Sequence, residues 1–283
     1  DVTGVQTCAL PISTGDTLCD EANKIQYSFP EPLPQLMTFA ITSKATGDED
    51  KIFISLTKII EEDPALKLER TVETKEILLS GRGQVHIEAT IEKLKRKFNV
   101  EVNLNTPKVP YRETIKKKVR VQGKHKKQSG GHGQYGDCWI QMEPLPRGAG
   151  FEFVDAIVGG AIPRNYIPAV EKGIVEASIK GVLAGYPCVD FRVTLDDGSY
   201  HDVESSEMAF KIAGSMAFKK AVMDAKPVLL EPILSVEVTT PDEFMGDIMG
   251  DLNSRRGRVL GMEARGKYQV IKAQVPMSEF LSY

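Results

Sequence analysis

Nowhere in its 283 residues does the sequence hold a G-x-x-x-x-G-K-[ST] loop, the cradle with which a P-loop grips a nucleotide. The glycine stretches at Gly81 (GRGQ) and Gly130 (GGHGQYG) lack the Lys-Ser/Thr pair such a loop needs. No apolar run approaches the ~18 residues of a membrane span. Cys8, Cys19, Cys138 and Cys188 show no C-x-x-C spacing, which fits a reduced cytoplasmic setting better than a disulfide framework. His125, His132 and His201 have no carboxylate or cysteine at zinc-ligand spacing, so no metal site is expected. Ser199, His201, Asp202 and Ser205 suggest a nucleophile–base set only superficially. In an extended segment His201 and Asp202 point to opposite faces, and no catalytic residue is assigned.

What the sequence does hold is a segregated charge. The net charge is −3. Yet residues 101–136 carry nine Lys and Arg against two acidic residues, a surplus of seven, while 1–100 and 137–283 stand at −4 and −6. A chain basic in one segment points to a localised polyanion contact. Lys116, Lys117, Lys118, Arg120, Lys124, Lys126 and Lys127 lead into Gln128, Ser129, Gly130, Gly131, His132, Gly133, Gln134, Tyr135 and Gly136. Lysines attract a phosphate backbone, and glycines let bare N–H groups approach it. The blander reading of this stretch is a solvated, charged loop.

Taken in order, the chain reads as several α+β domains. Val2–Ile12 (VTGVQTCALPI) matches the translation of a common sequencing adapter, so residues 1–13 are set aside. Residues 14–35 read as the tail of a preceding domain and a Pro-rich linker. Residues 36–107 alternate as β-α-β-β-α-β, the ferredoxin-like plan. Thr46 and Glu49 make a capping-box pattern. Ile52, Leu56, Ile59 and Ile60 mark one helix face, and Ile87, Ile91, Leu94 and Phe98 another. His86 lacks a second ligand and reads as structural.

Residues 108–226 form the middle domain. A long extended segment, Lys108–Arg120, climbs to the basic loop, and CWIQM, FEFVDAIVGG and CVDFRVTL supply strands. A helix after Pro168 buries Ile167, Val170, Ile174 and Ala177. A second helix, capped by Ser205 or Ser206, carries Met208, Ile212 and Met216 as well as Phe210, Ala213 and Ala217, and is expected to be sandwiched. Residues 227–283 repeat β-α-β-β, with a helix start at Thr240-Pro241-Asp242-Glu243. There Phe244, Ile248 and Leu252 form the buried stripe, and Gly257 closes the helix.

QSGGHGQYG, FEFVDAIVGG, IPAVEKGI, GSYHDVESSEMAFKIAGSMAFKKA, KPVLLEPI and FMGDIMGDLNSRRGRVLGMEARG together resemble bacterial translation elongation factor G, from about Thr14 to Tyr283. The resemblance implies domains III, IV and most of V, two ferredoxin-like folds flanking an α/β domain IV. GTP and Mg2+ would then belong to an upstream GTP-binding domain, with no cofactor in this chain. It implies a monomer that works on the ribosome, meeting ribosomal RNA, tRNA and mRNA, in GTP-dependent translocation.

Carried across, the two tip loops near the decoding region are Gln128–Gly136, approached by Lys124, Lys126 and Lys127, and Gly198, Ser199, Tyr200 and His201. Gln128 and His201 correspond to the tip contacts. Arg255, Arg256 and Arg258 become candidate contacts with large-subunit RNA. The family commonly has Arg where this chain has His132, which suggests a divergent second copy. A ribosome-protection or recycling factor of the same superfamily is the alternative reading. An RNA-processing enzyme or stand-alone RNA-binding module is the alternative from another class.

Overall fold

The computed structural model describes residues 14–283 except 18, 21, 45, 46, 72, 129–132 and 282. The adapter-like stretch and Thr46 lie outside the described residues. The chain divides into two compact units, residues 1–109, 246–258 and 277–283, and residues 110–245 and 259–276.

In the first unit the order is β1 (Met37–Ser43), α1 (Glu49–Ile60), β2 (Lys67–Arg70), β3 (Ile77–Gly81), α2 (Gln84–Phe98) and β4 (Val102–Asn105). The strands form one sheet in the order β2-β3-β1-β4, which is the ferredoxin-like arrangement expected from the sequence. Ile52, Leu56 and Ile59 from α1 and Ile87 and Leu94 from α2 are buried with Leu79 in its core. Each such side chain contributes roughly 1.5–3 kcal/mol by leaving water. Helix α1 starts two residues later than the capping-box pattern implied. Asp48 is its N-cap, with no side-chain cap bond. His86 is structural: Nδ1 accepts from the Arg82 N–H at 3.3 Å and Nε2 meets Asp63 Oδ2 at 2.9 Å.

The second unit carries β5 (Arg112–Ile115), β6 (Val119–Lys127), β7 (Gln134–Pro144), β8 (Phe151–Asp155), α3 (Ile167–Lys180), β9 (Phe191–Ser199), α4 (Glu207–Asp224) and β10 (Pro227–Leu230). Strands β6-β7-β9-β8 make its main sheet, with β8 parallel to β9 and the other pairs antiparallel. Alternate residues Cys138, Ile140 and Met142 of β7 and Phe191, Val193 and Leu195 of β9 are buried with Val170, Ile174, Phe210 and Phe218 of the helices. Burial pushes the thiols of Cys138 and Cys188 up to about 12, so neither is a reactive thiolate near neutral pH.

Three expectations need correction here. Lys108–Arg120 is not one extended segment. Strand β5 pairs with β10, β6 pairs with β7, and the chain changes sheet across Lys116–Lys118. Strand β9 runs on to Ser199, so Gly198 and Ser199 of the expected second tip loop are strand. Helix α4 is capped by Ser206, one of the two serines expected, whose side chain accepts from the Ala209 N–H at 3.2 Å. It is sandwiched on one side only, because Met208 and Met216 stay 59% and 46% exposed. The packed side is made instead of Ala209, Ala213, Gly214, Ala217 and Ala221 with Phe210 and Phe218. Small residues let backbones meet: a Cβ on Gly214 would stand 2.6 Å from Val170 O, and one on Gly173 would stand 2.0 Å from Lys211 O.

The final segment follows as β11 (Ile233–Pro241), α5 (Met245–Ser254), β12 (Arg258–Arg265), β13 (Tyr268–Pro276) and α6 (Met277–Phe280). Its sheet order, β11-β13-β12, matches the 1-3-2 part of the first sheet's plan. Leu252 is buried as expected, but Phe244 sits in a 3-10 turn before α5 and is 50% exposed. Arg256, not Gly257, takes the left-handed position at the helix end (φ 56°), and Gly257 N–H bonds back to Leu252 O at 2.8 Å.

Candidate nucleic-acid interface

Strands β6 and β7 form a hairpin whose register ends with Lys126 opposite Tyr135 and Lys127 opposite Gln134. Its connection is the glycine-rich loop. Ser129, Gly130, Gly131 and His132 lie outside the described residues. Lys124, Lys126, Lys127, Gln128 and Gln134 are exposed, and Gly133 is half-buried. His125 Nε2 meets Gln134 Oε1 across the hairpin at 3.0 Å.

The second loop, Tyr200–Ser206, follows β9 and is stitched to the first. Tyr135 and Ser205 form a parallel bridge, and Tyr135 N–H donates to Glu204 O at 2.8 Å. Ser205 Oγ donates to Tyr135 O at 3.0 Å and accepts from His201 N–H at 2.9 Å. Its own N–H closes a turn on His201 O at 3.0 Å. The His201 and Tyr135 rings stand 6.4 Å apart, and Lys124 Nζ lies 5.5 Å from the Tyr135 ring centre. So the structure brings the basic hairpin end, Tyr135 and exposed His201 to one place.

Beneath the loops runs a chain of hydrogen bonds that sequence reasoning missed. Ser199 Oγ donates to Asp137 Oδ2 at 2.7 Å, and Gln122 Nε2 donates to Asp137 Oδ1 at 2.8 Å. Ser199 Oγ also pairs with Tyr135 Oη at 2.7 Å. Asp137 is 5% exposed. The only sequence signal was an acidic residue directly after a basic, glycine-rich run. Ser199 and Tyr135 were candidate RNA contacts, yet their hydroxyls are taken up inside the protein. Ser199 gives its proton to a carboxylate and not to a histidine.

Two glycines also change meaning. Gly136 is buried, and a Cβ there would stand 2.5 Å from Ala209 O of α4. At Gly198 a Cβ would stand 2.5 Å from Asp137 O and from Ile162 Cδ1. Both serve close packing, not open backbone approach to a ligand.

The basic approach is broken up as well. Arg120 makes a two-point contact with Asp196 at 2.7 and 3.2 Å and lies 4.6 Å over the Trp139 ring. That bond holds the guanidinium above its usual pKa. Lys118 pairs with Glu143 at 3.0 Å. Of that basic approach, Lys124, Lys126 and Lys127 are left exposed at the tip. Among the described residues no group of three His, Cys, Asp or Glu is placed to hold a metal. No helix among them is long and apolar enough to cross a membrane.

At the end of α5, Arg255 donates to Asp251 Oδ2 at 2.9 Å and Glu279 O at 2.8 Å and lies 5.2 Å over the Tyr283 ring. Arg256 reaches Glu279 Oε1 at 3.2 Å and Ser278 Oγ at 3.3 Å. Of the three candidate arginines, Arg256 and Arg258 are both exposed, and Arg255 and Arg256 brace the helix end.

Comparison with known proteins matches three successive segments of the chain to three family models. Residues 29–106 match the family model described as Elongation Factor G, domain III. Residues 107–226 match Elongation factor G, domain IV, and 228–283 match Elongation factor G C-terminus. A crystal structure of a protein from Thermus thermophilus is 49% identical, with a TM-score of 0.78 over 90% of this chain. The match takes in 38% of that protein's chain, so this sequence spans well under half of its relative.

Proposed function

This chain belongs to the elongation factor G family, and from that premise we propose that it is the ribosome-binding part of a GTP-dependent translocase. Its middle domain would hold tRNA and mRNA in the decoding region by contact, without chemistry of its own. GTP and Mg2+ would act through a separate GTP-binding domain. The observation that carries this reading is the pinning of two exposed polar loops to one rigid end. Tyr135, Ser199, Ser205 and Asp137 lock the loops together, while Lys124, Lys126, Lys127, Gln128 and His201 face solvent. A machine that must accept any codon has to hold RNA by shape, 2′-hydroxyls and phosphates, and polar side chains on a stiff support do that.

The test is rapid-kinetic translocation with a factor joining these domains to a GTP-binding domain. His201→Ala should slow movement and leave ribosome-dependent GTP hydrolysis near wild type. Wild-type translocation speed in that variant would sink the assignment.

A further inference from the structure

Three lysines singled out in the sequence as an approach to the tip do not lie there. Lys116–Lys118 lie just before β6, and the strand's nine residues separate them from the tip by about 30 Å. Helix α4 runs the same course. Ser206 at its N-cap follows Ser205 of the tip loop, and 18 residues later, about 27 Å on, it ends at Ala225. Ala225 O accepts the N–H groups of Lys116 and Lys117 at 3.1 and 3.0 Å. This joint gathers Lys116, Lys117, Lys219, Lys220 and Lys226, all exposed, around the last two turns of α4.

None of the five forms an ion pair among the described residues, whereas Lys118 and Arg120 beside them do. Nor do they neutralise the helix end. The last turn of α4 carries no basic residue, and its terminal carbonyl is met by backbone N–H groups. The acidic groups nearby are exposed Asp224, Glu143 (held by Lys118 and Arg192), Glu176 (held by Lys211 in the groove that Lys219 also lines) and Glu231, which has a partner of its own. Five like charges at one joint repel one another, at a cost that an external polyanion would remove.

We propose that Lys116, Lys117, Lys219, Lys220 and Lys226 form a second phosphate-backbone contact, at the end of this unit opposite the tip. Its partner is folded RNA, a choice over anionic lipid that rests on the functional reading of the tip. Two basic ends on one rigid rod would grip RNA at two points.

The test is binding of the full chain to a 20-base-pair RNA hairpin across a KCl series. In the variant Lys116→Gln/Lys117→Gln/Lys220→Gln, the log-log salt slope should fall by about 2–3, and affinity near 100 mM salt by roughly 10- to 100-fold. The matching Lys→Arg variant should bind like wild type, which separates charge from folding. The tip variant Lys126→Gln/Lys127→Gln should lower the slope independently, and the combined variant should show both losses. Failure of the tip variant alone would count against the proposed function and leave this contact standing. The contact is overturned if the wild-type chain does not bind the hairpin, or if the Gln variant keeps wild-type slope and affinity. It is also overturned if the Arg variant is as weak as the Gln variant, or if only binding to phosphatidylserine vesicles is lost.

Discussion

Tyr135 must donate its hydroxyl proton to Ser199, because the proton of Ser199 Oγ is directed at Asp137 Oδ2, both at 2.7 Å. The bonds therefore have one direction, ending on a buried carboxylate that also receives Gln122. Tyr135→Phe removes one neutral bond and should lower stability by about 0.5–1.5 kcal/mol. Asp137→Ala strands the Gln122 amide and the Ser199 hydroxyl, and should lower it by about 1–3 kcal/mol or more. Denaturant melts give both values. Hydrogen exchange at residues 200–205 should quicken in each variant, and unchanged exchange would show that the chain does not hold the second loop.

For the tip itself the expected effect is kinetic. If His201 contributes about 1.4–2.7 kcal/mol in the moving state, His201→Ala slows translocation roughly 10- to 100-fold. His132→Arg, adding a permanent charge, should steepen the salt dependence of RNA binding by about one phosphate's worth. Stopped-flow translocation and a salt series check the two substitutions separately.

The glycines of the hairpin differ from those of the outer turns. In Gly123→Ala the new methyl would stand 2.2 Å from Ala213 O, and in Gly136→Ala 2.5 Å from Ala209 O. Either substitution forces α4 off the sheet and should cost about 1–3 kcal/mol or more. Gly148→Ala meets nothing within 4 Å and carries only the strain of its φ of 85°, about 1–2 kcal/mol. Comparable melting losses with no change in α4 exchange for Gly123→Ala would contradict this.

Acid should loosen the joint between β5 and the loop after α3. Burial acts to raise the Glu113 pKa, but N–H groups of Leu183, Ala184, Val182 and Tyr186 bond its oxygens at 2.7–3.2 Å and hold it below the ordinary value. A depressed folded pKa gives stability that is complete above the unfolded-chain value of about 4.3 and lost as pH falls through the lower folded value. Glu113→Gln should destabilise the chain near neutral pH and flatten that acid limb. A variant whose stability falls with acid as steeply as wild type would refute the assignment.

The last sheet should open before the middle one. Among the described residues β12 is exposed at every position but Val259, and β11 and β12 each have β13 as their one strand partner. Val236 is buried, and Leu234 and Val238 are half-buried. Amides of 233–265 should exchange well ahead of those in β7 and β9. Equal protection would refute the expectation.

Periodicity alone determined most of the elements. The stripes of α1, α2 and α3 and the alternation in β7 and β9 are spaced as their buried faces require, because a helix or strand exposes its period directly. The ferredoxin-like order was legible for the same reason, and Leu252 of α5 followed from spacing. What spacing could not decide is which of two apolar faces is buried. Helix α4 offers methionines on one side and alanines on the other, and backbone-to-backbone approach with α3 and β6 selects the alanines.

Charge was legible as composition but not as position. Lys116, Arg120 and Lys126 are close in sequence. Yet the length of β6 sets Lys116 and Lys126 at opposite ends of a sheet, and Asp196, 76 residues away, claims Arg120 between them. The link between Tyr135, Ser199 and Asp137 likewise depends on β7 and β9 being neighbours, a long-range pairing that no local pattern encodes. Residue types and their periods thus settled the parts and their kinds of surface. Strand pairing and close packing decided which polar groups are left to meet a partner.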